Sequence, residues 1–347
     1  MKGRLHFSQG SFSLDPSAFE AIERAASHPW EKAVAELLRH WWSTEDQIVL
    51  TTSGSTGPPE SIYHAKEAVR KSARRTIAYF TLKEGAHAAL AMPVRFVGGM
   101  MMVVRAIEGN WNLHVVEPLL VPEFPPVPFD FVALTPAQVR SMLLAQGDLR
   151  SMEHWKILLM GGSSFPASIA PHFPEKLRVY ESFGMTETVS HVAVRSWLPF
   201  KSEAFECLPG IKVSLHQEDA LCIHMPEMEP LPTSDSVKLI DERHFVWLGR
   251  LDDAINSGGV KVHPQAVEEV LSEWIDLPFI VYGRPHPILG QEVVLRIHAD
   301  DEPSHADEQR QLILNAGNKR LSHHHVPRVI EWRPIEKTPS GKWKRPH

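Results

Sequence analysis

Thr51-Thr52-Ser53-Gly54-Ser55-Thr56-Gly57-Pro58-Pro59-Glu60 is the stretch on which the rest of the chain depends. It follows a short apolar run, Gln47-Ile48-Val49-Leu50, that reads as a buried strand, and it precedes a segment of helical character from about His64 to Tyr79. A strand-to-helix loop rich in hydroxyls, with two glycines, Gly54 and Gly57, is expected here. Glycine lets backbone N–H groups approach an anion closely, and Ser and Thr add neutral donors, so the loop suits a phosphate chain. The same composition also serves as a plain connection with no ligand. It is not a Walker A loop, because no Lys-Ser/Thr pair follows the last glycine at the required offset.

Working outward, a chain of 347 residues is long enough for two domains. Its formal net charge of −6 argues against a general nucleic-acid binder. Cys207 and Cys222, the two cysteines, have no metal-like spacing and fit a reducing, cytoplasmic setting. The segment Met1 to Phe7 leads into polar residues, so no signal peptide is expected, and no apolar run is long enough for an integral membrane span.

The apolar pattern alternates between helix and strand periods. Residues 17 to 42 read as a helix ending at Trp41-Trp42, and Phe96 to Ile107 as a Gly-opened helix whose Met run is core. Strands are expected at 88–93, 113–116, 131–134 and 157–160, with a surface connection from Val121 to Phe129. This alternation predicts an α/β fold with parallel strand pairs.

Gly161-Gly162, opening Gly161-Gly162-Ser163-Ser164-Phe165-Pro166 at the end of the 157–160 strand, sits where open α/β sheets commonly bind ligands, and also where a tight turn would use glycine. Farther on, Tyr180-Glu181-Ser182-Phe183-Gly184-Met185-Thr186-Glu187 brings a hydroxyl and a carboxylate to one loop, a pairing suited to a magnesium-bound triphosphate. His323-His324-His325 reads as a solvated turn rather than a metal site, since adjacent side chains do not converge on one ion.

Thr52 to Gly57, Phe183 to Glu187, Gly249-Arg250-Leu251-Asp252-Asp253 and Pro339-Ser340-Gly341-Lys342 resemble, in order, the core motifs of the adenylate-forming superfamily of acyl-CoA synthetases, adenylation domains and luciferases. The resemblance implies an N-terminal adenylate-forming core with mixed and parallel sheets over residues 1–249, its amino-terminal subdomain largely missing. A small mobile α+β C-terminal domain would cover 250–347. It also implies a two-step reaction. A carboxylate attacks the α-phosphate of ATP to give an acyl-adenylate and pyrophosphate, and a thiol then displaces AMP. ATP, magnesium and coenzyme A are the implied cosubstrates.

By similarity, Thr52, Ser53, Gly54, Ser55, Thr56 and Gly57 would wrap the phosphates. Phe183, Gly184, Met185, Asp235 and Arg250 would complete the nucleotide site, Asp235 on the ribose. Thr186 would contact the α-phosphate, Glu187 would help hold magnesium, and Lys342 would reach the α-phosphate and the substrate carboxylate. Asp252 matches the hinge, and Ser257, Gly258 and Gly259 would line the path of the thiol. Where the family commonly has Pro-Lys, this chain has Pro59-Glu60, and Lys66 or Lys71 would have to compensate.

Thr186-Glu187-Thr188-Val189-Ser190-His191 resembles the pattern of short o-succinylbenzoate-CoA ligases of menaquinone biosynthesis. Ser190, His191 and Arg195, with Gly161 and Gly162, would then form the acyl pocket, and a cation there would suit a second carboxylate. The expected partners are a small-molecule carboxylate, ATP and CoA, and no nucleic acid; a homo-oligomer is compatible with the sequence. Another aryl- or acyl-CoA ligase, an enzyme that loads a carrier protein, and a non-catalytic nucleotide-binding descendant are the alternatives.

Overall fold

The computed structural model describes residues 3–51, 61–162, 167–217, 219–275, 277–337 and 343–346. Strands β1 (Arg4–Phe7) and β2 (Gly10–Ser13) open the chain, followed by helices α1 (Phe19–Ala25) and α2 (Pro29–Trp41). The single helix expected over 17–42 is thus two, separated at Ser27-His28, with Pro29 in the first turn of α2, where its missing N–H costs nothing. A hairpin of β3 (Gln47–Thr51) and β4 (Ser61–Ala65) precedes helix α3 (Lys66–Tyr79).

Next come β5 (His87–Leu90), α4 (Val97–Gly109), β6 (Asn112–Val115), β7 (Phe131–Leu134), α5 (Pro136–Gln146), β8 (Ile157–Met160) and β9 (Arg178–Gly184). Strands β10 (His191–Leu198), β11 (Phe205–Cys207), β12 (Lys212–His216), β13 (Ala220–His224), β14 (Leu231–Asp241) and β15 (His244–Arg250) continue the same sheet. After Arg250 the chain builds β16 (Ile255–Ser257), β17 (Val260–Val262), α6 (Pro264–Leu271), β18 (Phe279–His286), β19 (Gly290–Ile297), α7 (Ala306–Arg320) and β20 (Val329–Trp332).

Thirteen strands form one sheet in the order β12-β13-β14-β15-β11-β10-β9-β8-β7-β5-β6-β1-β2. From β9 through β8, β7, β5 and β6 to β1 the pairs are parallel, and the rest are antiparallel. The parallel strands are covered on both faces, which is why Phe131-Val132-Ala133-Leu134 and Ile157-Leu158-Leu159-Met160 are apolar throughout and wholly buried. Alternate residues enter two cores: Ala133 and Leu159 on one face, Val132 and Leu158 on the other. Helix α5 starts cleanly because Thr135 and Gln138 form a reciprocal capping box ahead of Pro136.

The Met run lies in the core as expected, with Met100, Met101 and Met102 fully buried. The connection from Val121 to Phe129 has no regular structure, but it is not merely superficial: Phe129 is fully buried and packs edge-on to Trp155. Beyond Arg250 a five-stranded sheet, β17-β16-β19-β18 with β20 beside β19, has its own apolar core around Val267, Leu271, Val293 and Leu295. Among the described residues no helix is long and apolar enough to cross a membrane.

Candidate active site

Thr52 to Glu60, Ser163 to Pro166 and Pro339-Ser340-Gly341-Lys342 lie outside the described residues. The geometry around the first of these is nevertheless informative. Thr51 pairs with Ser61 in the β3–β4 ladder, so the described chain resumes in a strand beside β3 and not directly in the helix expected from about His64. Ser61 to Ala65 forms a second strand because its backbone is paired residue by residue with β3, and α3 starts only at Lys66. His64 in β4 donates from Nε2 to the Thr186 carbonyl at 2.8 Å, tying the hairpin to the Phe183–Glu187 motif.

Lys66 does not serve as a free cation near this loop. Its ammonium donates to the carbonyls of His40 at 2.6 Å and Ser43 at 3.3 Å, at the C-terminal end of α2. A cation there complements the helix dipole and its unpaired carbonyls. Lys71 is exposed.

The parallel strands end together on this side. Gly161 lies just beyond β8, so close to Ser182 that a Cβ would come within 2.5 Å of the Ser182 hydroxyl. Gly162 has φ 93°, a backbone that favours glycine. Phe183 and Gly184 close β9, followed by Met185, Thr186 and the exposed Glu187 on the turn into β10. Gly184 is opposite His191, and a Cβ there would meet the His191 Cα at 2.4 Å and the Ser190 carbonyl at 2.5 Å. The motif thus requires glycine for close backbone approach.

Asp235 and Arg250 are cross-strand partners in β14 and β15. The Asp235 carboxylate is buried and accepts from Trp247 Nε1 at 2.9 Å, and burial raises its pKa above the usual carboxylate range. Arg250 donates to Asp252 at 2.9 Å, and that bond holds Asp252 below its ordinary value. Ser257 is buried at the end of β16, and Gly258 and Gly259, with φ of 60° and 81°, make the turn into β17. A backbone of this kind is accessible to glycine without strain.

Arg195 is placed differently from the free substrate cation expected. It is buried and donates from Nε to Glu181 at 2.8 Å and from Nη2 to Glu269 at 3.2 Å, with Phe205 beneath it at 4.9 Å. Two carboxylates already neutralise it. A buried arginine that the sequence reading did not single out is Arg105, inside the apolar-looking helix α4. It is 2% exposed and has no acidic partner among the described residues.

Arg105 instead donates to the Thr76 hydroxyl at 3.2 Å and to His191 Nδ1 at 3.2 Å. Burial pushes its pKa down to about 9. Ser190 lies alongside, its hydroxyl 2.7 Å from that of Ser72. The available signal was a single arginine in a run of Met, Val and Ala, at i+3 from Met102 and i+7 from Gly98 on one helix face.

The donor set fits an adenine nucleotide with magnesium. Magnesium commonly takes one or two protein carboxylates and completes its shell with phosphates and water, so the single exposed Glu187 suffices. Among the described residues no cluster of three or more acidic, His or Cys side chains offers a self-sufficient metal cage. The Asp235 carboxylate, held by Trp247, is an acceptor of the kind that suits a pair of hydroxyls.

Parallel strand ends, a glycine-framed motif and a buried carboxylate beside an arginine define an α/β nucleotide-using enzyme. The family model described as "AMP-binding enzyme" matches residues 12–235. The chain belongs to the AMP-binding enzyme family and is an AMP-forming acid–thiol ligase, the class that uses ATP, magnesium and a thiol such as coenzyme A.

Among curated relatives, the 2-succinylbenzoate–CoA ligase of Listeria monocytogenes serovar 1/2a is 23% identical over 340 residues, covering 89% of this chain and 71% of the relative. A "Probable 2-succinylbenzoate–CoA ligase" of Mycobacterium tuberculosis is 26% identical over 318 residues, 84% of this chain and 82% of the relative. Among solved structures, an acyl-CoA synthetase (AMP-forming)/AMP-acid ligase II-like protein from Dyadobacter fermentans has a TM-score of 0.64 at 29% identity, covering 95% of this chain and 96% of that one. The o-succinylbenzoate coenzyme A synthetase of Bacillus subtilis, in complex with ATP and magnesium, has a TM-score of 0.71 at 18% identity, covering 86% and 68%.

Proposed function

We propose that the enzyme joins a small aromatic dicarboxylate, with o-succinylbenzoate the best candidate, to coenzyme A through an acyl-adenylate. The observation that carries this is Arg105. A guanidinium held by neutral acceptors in an apolar interior is costly unless an anion meets it, and a carboxylate accepts its planar fork of donors. A monocarboxylic fatty acid would leave that charge unmatched. The second carboxylate of o-succinylbenzoate, on its ring, supplies the partner while the succinyl carboxylate reacts. The two curated relatives named for this substrate support the same choice.

The remaining roles follow from where the groups stand. Adenylation turns a poor electrophile into a phosphoric anhydride, and magnesium, held by Glu187 and the phosphates, would supply charge neutralisation there. Asp235 would orient the ribose through its carboxylate, with Arg250 beside it. Thr186 would sit against the α-phosphate, with its backbone anchored by His64. Residues 52–57 and Lys342 would cradle the phosphates and the reacting oxygens. We place the boundary between the two domains at 249/250, with Asp252 as the hinge and the Ser257–Gly259 turn as the guide for the thiol.

Pyrophosphate release, followed over a carboxylate panel with and without CoA and with products identified by mass, tests this. A CoA thioester formed with o-succinylbenzoate is expected. Turnover of a different acid would overturn the substrate; adenylation without CoA transfer would favour a carrier-protein acceptor; ATP binding without turnover would favour a non-catalytic descendant.

A further inference from the structure

The hydrogen bonds around Arg105 determine the state of His191. A guanidinium only donates, so His191 Nδ1, 3.2 Å from Arg105 Nη2, must accept. The ring proton then sits on Nε2 and points at the Thr76 hydroxyl 3.3 Å away. Thr76 Oγ1 in turn accepts from Arg105 Nε at 3.2 Å and donates to the Ser72 carbonyl at 3.3 Å. Both hydroxyl and imidazole are wholly used, and every direction in the circuit is set. A protonated imidazole would lose its acceptor and face the guanidinium as a like charge. Burial, reinforced by Arg105, accordingly holds His191 well below the ordinary imidazole range.

Three elements meet here: α4 carries Arg105, α3 carries Thr76, and His191 opens β10 directly after the turn that follows the Phe183–Glu187 motif. We propose that His191 is a positioning residue that orients Arg105, so that selection for a second carboxylate on the acid depends on the neutral imidazole as well as on the guanidinium. His191 does not need to touch the substrate for this. It fixes one edge of the guanidinium and Thr76 fixes another; the remaining donors, of which Nη1 faces the Met102 sulfur at 3.9 Å, would then be held in place for the second carboxylate of the acid.

This rests on the reading of Arg105 as the anion partner, and the two ideas fail differently. The measurement is the ratio of kcat/KM for o-succinylbenzoate to that for benzoylpropionate, which keeps the reacting carboxylate and lacks the ring one. Arg105→Ala should collapse the ratio. His191→Ala should cut it by at least about tenfold, the scale of an unpaired polar group in a recognition site, and should leave the ATP KM nearly unchanged. His191→Asn, which returns an acceptor near Nδ1, should restore most of it. General damage to the fold would lower both substrates together and leave the ratio intact.

If Arg105→Ala leaves the ratio unchanged, the assignment of Arg105 itself falls. If Arg105→Ala collapses it while His191→Ala preserves it, or if His191→Asn is no better than Ala, the positioning role is overturned. Thr76→Val decides the matter independently should His191→Ala fail to fold: loss of selectivity is expected, and an unchanged ratio refutes the circuit.

Discussion

Arg195 of β10 and Glu269 of α6 are joined by two hydrogen bonds, 3.3 Å from Nη1 and 3.2 Å from Nη2 to the same carboxylate oxygen. The contact crosses from the thirteen-stranded sheet to the unit beyond Arg250, and Lys201 reinforces it at 3.2 Å from the other oxygen of Glu269. On its own sheet Arg195 is also held by Glu181, which receives Trp197 Nε1 at 2.7 Å. One arginine thus links the strand that follows the Phe183–Glu187 motif to the first α-helix beyond Arg250.

The two carboxylates should differ in weight. Glu181 is 8% exposed in its side chain and Glu269 26%, so removing Glu181 strands more buried charge. Glu181→Gln is expected to cost about 3 kcal/mol and Glu269→Gln about 1 kcal/mol or less in urea unfolding. Equal costs would contradict this account of the seam.

Asp235→Asn should raise the KM for ATP by about tenfold or more and barely move the KM for the acid, because the buried carboxylate is assigned to the nucleotide alone. Steady-state kinetics with each substrate varied in turn checks it. A shift confined to the acid would remove Asp235 from the nucleotide site.

Gly184→Ala places a methyl group 2.4 to 2.8 Å from the backbone of Ser190 and His191, where nothing flexible can yield. We expect a loss of about 1–3 kcal/mol in stability and a fall in adenylation rate beyond what that loss explains. Wild-type rates at wild-type stability would show that the β9–β10 turn tolerates a side chain.

His114 gives a pH dependence with a definite sign. It is buried, stacked on His6 at 4.2 Å and 3.0 Å from His87 Nδ1, and burial followed by those two neighbours lowers its pKa to about 4. The folded state therefore binds fewer protons than the unfolded chain between about 4 and 6.5. Stability from this group is present above about 6.5 and drains away as the pH falls toward 4. In urea titrations at stepped pH, His114→Asn should flatten this slope, by on the order of 1–3 kcal/mol across the window. Parallel curves for wild type and variant would sink it.

Lys342→Ala should slow adenylate formation by a hundredfold or more and leave thioester formation from supplied acyl-adenylate within a few-fold of wild type. Pyrophosphate exchange and single-turnover transfer separate the two halves. Equal loss in both would assign Lys342 to neither step in particular.

The strands at 131–134 and 157–160 were legible residue by residue, since burial on both faces demands unbroken apolar runs. The hairpin strand Ser61 to Ala65 was not, because its pattern is intermediate and its identity comes from the ladder with β3. Lys66 looked available to a phosphate loop and is committed to the end of α2.

The amino-acid order alone determined the class of protein. Glycines, hydroxyls and acids recur at strand ends in one succession, and those local chemical requirements are written in neighbouring residues. How each buried arginine is compensated was decided only by the tertiary structure. Arg195 and Arg105 look alike as letters, yet among the described residues folding brings two carboxylates to the first and only neutral acceptors to the second. Charge compensation depends on residues far apart in the chain, Glu269 for one and Thr76 and His191 for the other, and distance in space is what the packing of helices on the sheet establishes.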